Sequence, residues 1–125
     1  MKIIGFAQLR NELSNDNLKN WFMSMRFCDY IYIFDQNSND GSREYYSKFN
    51  NVSVIESETN NFENEIGCKS LLLKKLLTDH PDVDWIFWMD GDTILEKSAN
   101  RASIEGLLLQ ADQNNIEGLF LGHYN

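Results

Sequence analysis

Short apolar runs alternate along the chain with segments whose apolar residues recur every three or four positions, the pattern of strands interleaved with helices. Lys2 to Ala7 reads as a first strand, followed by a polar loop from Gln8 to Asn15. Leu18, Trp21, Phe22 and Met25 mark the buried face of a helix that Ser14 or Asp16 caps and that runs to about Phe27. Tyr30 to Phe34 is β-branched and aromatic, predicting a second strand that ends in Asp35. Gln36 to Ser42 is the most turn-rich stretch, and it delivers Asp40 or Ser42 to the start of a helix over about 43–49. Val52 to Ile55 is a third strand, and Glu56 to Asn64 a polar connection. Glu65 to His80 is the longest predicted helix, with Ile66, Leu73, Leu76 and Leu77 inward and Lys69, Lys74 and Lys75 outward, and Pro81 stops it.

Trp85 to Met89 are five consecutive large apolar residues without helical period. They predict a fourth strand buried on both faces, ending abruptly in Asp90-Gly91-Asp92. A weaker helix follows over Arg101 to Gln113 around Leu107, Leu108 and Ala111, and Ile116 to Leu121 predicts a fifth strand. Strands and helices alternating at this spacing imply an α/β class: a mainly parallel, twisted, Rossmann-like sheet with helices on both faces. Ligands of such sheets bind outside the carboxyl ends of the strands. The loop after the first strand, Asp35 after the second, and Asp90 with Asp92 after the fourth are therefore expected at one edge.

That placement gives the acids a chemistry. Gly91 has no Cβ, so the backbone turns tightly and a ligand can come close to the two flanking carboxylates. Neighbouring anions repel, and a hard divalent cation with oxygen ligands relieves them. Asp90 and Asp92 are thus expected to hold Mg²⁺ or Mn²⁺ against the phosphates of a nucleotide. At 125 residues the chain is one small domain. A net charge of −8 and a pI near 4.6 argue against nucleic acid or an anionic membrane as the main partner, while leaving phosphate ligands open through a metal. No apolar run approaches the ~20 residues of a membrane span, and the start of the chain is too short for a signal core, so a cytoplasmic location is expected. Cys28 and Cys68 lie far apart, in no C-x-x-C and within predicted helices, and read as buried free thiols.

These residues resemble the nucleotide-binding half of family 2 glycosyltransferases, the inverting enzymes of GT-A fold. Arg10-Asn11-Glu12 is similar to the family's polar loop after the first strand. Asp35 to Ser42 resembles its Asp-x-x-Ser-x-Asp-Gly-Ser/Thr segment, with five positions agreeing at fixed spacing, and Trp85 to Asp92 resembles its strand ending in Asp-x-Asp. The resemblance implies a nucleotide-diphosphate sugar as donor, transferred to an unknown acceptor. By it Asp35 accepts a hydrogen bond from the base, Asp90 lies near ribose and metal, Asp92 ligates the metal, and Arg10 and Glu12 join the nucleotide site. Lys69 is a further phosphate or base-edge contact to consider, and His123 a lower-ranked metal ligand. Thr93 stands where many relatives carry another acid. The family's general base lies downstream of the Asp-x-Asp region, and no residue here is identifiable as that base, so residues 1–125 are expected to be a donor-binding domain truncated on its carboxyl-terminal side.

Three other readings compete. A haloacid-dehalogenase-type phosphatase also uses a hydrophobic strand and Asp-x-Asp, but Ile94 stands where its Thr or Val belongs and three predicted strands precede the motif. Asp35, Asn37 and Asn39 have calcium-loop spacing, but Gly41 is one place late and Tyr46 replaces the twelfth-position Glu, which rejects an EF-hand. A non-catalytic nucleotide-sugar-binding module fits as well as an enzyme fragment.

Overall fold

The structure, a computed structural model, describes residues 1–58 and 64–121. Its elements in chain order are β1 (Ile3–Leu9), α1 (Leu18–Ser24), β2 (Tyr30–Gln36), α2 (Ser42–Tyr46), β3 (Val52–Ser57), α3 (Glu65–Asp79), β4 (Trp85–Trp88) and α4 (Arg101–Gln113). The strands form one sheet in the order β3-β2-β1-β4, and every pairing is parallel. The α/β, Rossmann-like class expected from the alternation is what the chain adopts.

The strand order explains the layering. From β1 through β2 to β3 the chain steps in one direction, then it crosses back to place β4 on the far side of β1. Crossovers of one hand put α1 and α2 on one face and α3 on the other. Accordingly Leu18, Trp21, Phe22 and Tyr46 join Ile31, Ile33, Met89, Ile104 and Leu108 in one core, while Cys68, Leu72 and Leu76 pack on Ile4, Phe6, Tyr32 and Phe34 in the other. Strand β1, central and covered on both faces, buries Ile3, Ile4, Phe6, Ala7 and Leu9. Cys28 and Cys68 are buried free thiols, as expected; burial pushes the Cys28 thiol up to about 12.

Several expectations change. The first two strands run further than their apolar cores, to Leu9 and Gln36, because the ladder continues through Gln8↔Phe34 and Leu9↔Asp35; Asp35 thus lies within β2. Helix α1 starts only at Leu18, after Asp16 in left-handed backbone, and neither Ser14 nor Asp16 caps it. Helix α2 is one turn long, Cys28 lies beyond α1, and α3 ends before His80. The inward residues of α3 are Cys68, Leu72 and Leu76, whereas Ile66, Leu73 and Leu77 are exposed. Lys69 is less outward than expected: its Nζ sits 3.7 Å from the ring centroid of Trp88. Strand β4 is an edge strand, not one buried on both faces; Trp85 and Phe87 pack against the core, and Ile86 and Trp88 are exposed. Ile116 to Leu121 forms no strand and is exposed. His123 and part of the connection after β3 lie outside the described residues.

Candidate functional site at the carboxyl edge of the sheet

All four strands point the same way, so their carboxyl ends share one rim. The strand order reverses between β1 and β4, and the crevice beyond such a reversal is where open α/β sheets bind ligands. One wall of that crevice is the loop after β1, and the other is the turn after β4.

The turn after β4 is held by main-chain bonds. Met89 N donates to Phe6 O at 3.4 Å, extending the β1–β4 ladder, and Met89 O accepts from the indole Nε1 of the buried Trp21 at 3.0 Å. Thr93 N donates to Asp90 O at 3.1 Å and closes the turn, and Leu95 N donates to Ser24 Oγ at 3.0 Å. Gly91 is buried against the opposite wall. A Cβ there would lie 2.8 Å from Leu9 Cδ2 and 2.9 Å from Cγ and Cδ of Glu12. Gly91 therefore lets the β4 turn and the β1 loop touch, and Asp90 and Asp92, both exposed, flank the point of contact. Among the described residues neither side chain has a hydrogen-bond or ion-pair partner.

Gly91→Ala is expected to destabilise the protein by about 1–3 kcal/mol, since Leu9 and Glu12 must both move. Gly106→Ala is the contrasting variant. It lies inside α4 with nothing within 4 Å of an added Cβ, and is expected to stabilise by up to about 1 kcal/mol. Urea unfolding of the two variants checks both signs.

The β1 loop is stitched to the loop after β2. Arg10 Nη1 donates to Gln36 O at 2.6 Å and to Asn37 O at 2.9 Å, Asn11 N donates to Ser38 Oγ at 2.9 Å, and Asn39 N donates to Asn11 Oδ1 at 2.8 Å. Leu13 N donates to Ser42 Oγ at 3.2 Å and Ser14 N to Asp40 Oδ2 at 2.7 Å. Burial alone would raise the Asp40 pKa, but the bonds from Ser42 and Ser14 outweigh it and hold the carboxyl below its ordinary value. Asn11 and Asn37 take left-handed backbone, which asparagine tolerates, and Gly41 does so at φ 94° just ahead of α2. Glu12 Oε2 accepts from Asn17 Nδ2 at 2.8 Å.

Asp35 lies at the same edge, one strand over from the crevice wall, and is fully buried. Its Oδ1 accepts from Ser38 Oγ at 2.6 Å and Tyr46 OH at 3.0 Å, and its Oδ2 from Ser38 N at 2.9 Å and Arg43 Nε at 2.8 Å. A carboxylate has about four acceptor positions, and all are filled from within the fold. The hydrogen bond to Asp35 raises the Arg43 pKa, and burial beside the same carboxylate pushes the Tyr46 phenol up. Ser38, Arg43 and Tyr46 were not picked out as site residues from the sequence, although Ser38 stands inside the turn-rich motif.

A broad hollow of about 760 Å³ opens at the opposite, amino edge, lined by Lys2, Asp29, Tyr30, Asp82 and Asp84 among others. Its acids are already engaged: Asp29 with Ile3 N and Arg101, Asp82 with Lys2 Nζ, and Asp84 with Lys2 N. Size favours that hollow; unpaired negative charge favours the crevice, and unpaired negative charge is what a cation needs.

The carboxylates of Asp90 and Asp92 are hard oxygen donors and fit Mg²⁺ or Mn²⁺. Among the described residues no third acidic, histidine or cysteine side chain completes a cluster with them. Mg²⁺ in particular is commonly held by one or two carboxylates, with water and substrate phosphates filling the remaining positions. Among the described residues no helix is long and apolar enough to cross a membrane.

No curated protein sequence matches the chain. A family model does: that of the galactosyl transferase GMA12/MNN10 family, over residues 18–116. The match supports the expected glycosyltransferase class and favours it over the phosphatase, without pointing to family 2 in particular. The span includes the Asp35–Ser42 segment and the Asp90–Asp92 turn, and with most of its length matched the chain belongs to the galactosyl transferase GMA12/MNN10 family.

Proposed function

We propose that the chain is the donor-binding part of a GT-A-type glycosyltransferase. In this reading a nucleoside-diphosphate sugar occupies the crevice between β1 and β4, and Asp90 and Asp92 hold Mn²⁺ or Mg²⁺ against its diphosphate. The observation that carries the reading is the pair of exposed carboxylates, unpaired among the described residues, at the strand-order reversal. Glu12, against Gly91, keeps Oε1 for a ribose hydroxyl or base N–H. Arg10, tied down through Nη1, keeps Nε and Nη2 for the nucleotide. Lys69, held between Glu65 and Trp88, adds a positive charge beside β4.

A bound divalent cation would offset the negative charge that builds on the diphosphate as it leaves the sugar. The chain's own part is to fix the acids in place. Trp21 and Phe6 anchor Met89 immediately before Asp90, and Glu12 packs on Gly91, so the backbone that carries both carboxylates is fixed before ligand arrives. No described residue is assigned as general base. The family's description names galactosyl transfer, so a nucleoside-diphosphate galactose is the first donor to try.

Thermal shift with UDP, GDP and other nucleoside diphosphates, with and without Mn²⁺, tests the proposal. Metal-dependent stabilisation is expected, about 2.7 kcal/mol at a hundredfold excess over Kd. Equal stabilisation with and without metal would count against it. Release of nucleoside diphosphate from the sugar donor separates an enzyme from a module that only binds.

A further inference from the structure

We propose that Asp35 is a positioning residue of the nucleotide site, acting through Ser38 and the β1 loop and never touching the ligand. The inference rests on the donor-binding role proposed above and departs from the base contact that the family 2 resemblance implies.

Asp35 has no exposure and no vacant acceptor position. For a base to reach it, Ser38, Tyr46 or Arg43 would have to be displaced. Displacing Arg43 would separate it from its buried partner, leaving it the exposed Glu56 and Ser57 O, and breaking an ion pair to a buried carboxylate is strongly destabilising. The bonds lead elsewhere. Asp35 fixes Ser38 at both its amide and its hydroxyl. The same Ser38 hydroxyl, its proton committed to Asp35, must accept and takes the amide of Asn11 at 2.9 Å. Asn11, at φ 50°, turns the chain so that Glu12 meets Gly91 between Asp90 and Asp92. Arg43, also on Asp35, donates through Nη2 to Ser57 O at 2.7 Å and ties the end of β3 to the same hub. The buried carboxylate therefore sets the register of the crevice wall against the metal-binding turn.

The test compares the wild-type chain with Asp35→Asn and Ser38→Ala. It measures Mn²⁺-dependent affinity for UDP, GDP, CDP and inorganic pyrophosphate, and amide hydrogen exchange of the ligand-free protein. Both variants are expected to weaken all four ligands by a similar factor, about tenfold or more, the range for groups one step behind a metal ligand. The ranking of bases should stay as it was, and exchange should rise at Asn11 and Leu13. A changed ranking with pyrophosphate binding intact would show that Asp35 meets the base and would overturn the proposal. So would unchanged exchange at Asn11 in Ser38→Ala. Where Asp35→Asn fails to fold, because it leaves Arg43 against a neutral amide, Ser38→Ala carries the test alone. If the wild-type chain binds no nucleoside diphosphate, the functional reading fails, and exchange at Asn11 still decides the relay.

Discussion

Asp92→Ala is expected to lower metal-dependent nucleotide affinity by about a hundredfold or more while leaving the fold intact. Loss of a supporting residue behind a metal ligand already costs about 10–100-fold, and loss of the ligand itself should cost at least the upper end. Stability should hardly change, because the side chain is exposed and, among the described residues, unpaired. Removing a charge beside Asp90 also relieves repulsion, so a slight stabilisation of the metal-free protein is the expected sign. Asp90→Ala should behave alike, since Asp90 uses only its main-chain oxygen, to Thr93 N, in closing the turn. Isothermal titration of nucleoside diphosphate with and without Mn²⁺, alongside urea unfolding, reads both halves. A variant that binds as tightly as the wild type removes Asp92 from the site.

Trp21→Ala should have the largest effect on stability, about 3–5 kcal/mol from lost packing. The side chain is fully buried at the centre of the core on the α1 face and meets Phe22 edge to face at 5.0 Å. Its Nε1 also satisfies Met89 O, and an orphaned buried acceptor adds about 1–3 kcal/mol. Against the roughly 5–15 kcal/mol typical of a domain this size, Trp21→Ala is expected to leave little folded protein at 25 °C. Trp21→Phe separates the two contributions. It keeps most of the apolar contact, frees Met89 O, and should cost about 1–3 kcal/mol. It should also weaken Mn²⁺-dependent nucleotide binding, because the residue ahead of Asp90 loses its tether. Wild-type affinity in Trp21→Phe would show that the turn is held without the Trp21 bond, by β1 and Ser24.

The sequence carried the elements well and their surroundings less well. Apolar period and turn residues located all four described strands and all four helices, because each element must bury a face or a stripe. Period does not report strand order, however. Trp85 to Met89 has the composition of a strand covered twice, yet β4 lies at the edge with Ile86 and Trp88 exposed. In α3 the run Leu71-Leu72-Leu73 followed by Leu76-Leu77 supports more than one inward face. Docking on Phe6, Tyr32 and Phe34 selected Leu72 and Leu76. Ile116 to Leu121 has strand composition, but a strand needs a ladder, and none forms there.

The rim was legible because parallel topology sends every strand end to one side. Asp35, Asp90 and Asp92 do share that side, although their chemistry differs for a reason no spacing rule contains. The ladder extends β2 past Phe34 and carries Asp35 beneath Ser38, Arg43 and Tyr46, whereas Asp90 and Asp92 emerge beyond the last pairing of β4 and stay in solvent. An acid in a motif is a site residue or a strut depending on which donors reach it, and those donors came from elements folded against it.

Crystals grown with Mn²⁺ and UDP, with data collected at the manganese absorption edge, test the central claim most directly. An anomalous peak is expected beyond β4, with carboxylate oxygens of Asp90 and Asp92 at about 2.1 Å and diphosphate oxygens on its other side. Manganese among Asp29, Asp82 and Asp84 at the amino edge, or UDP bound in the crevice with no metal at these two aspartates, would contradict it.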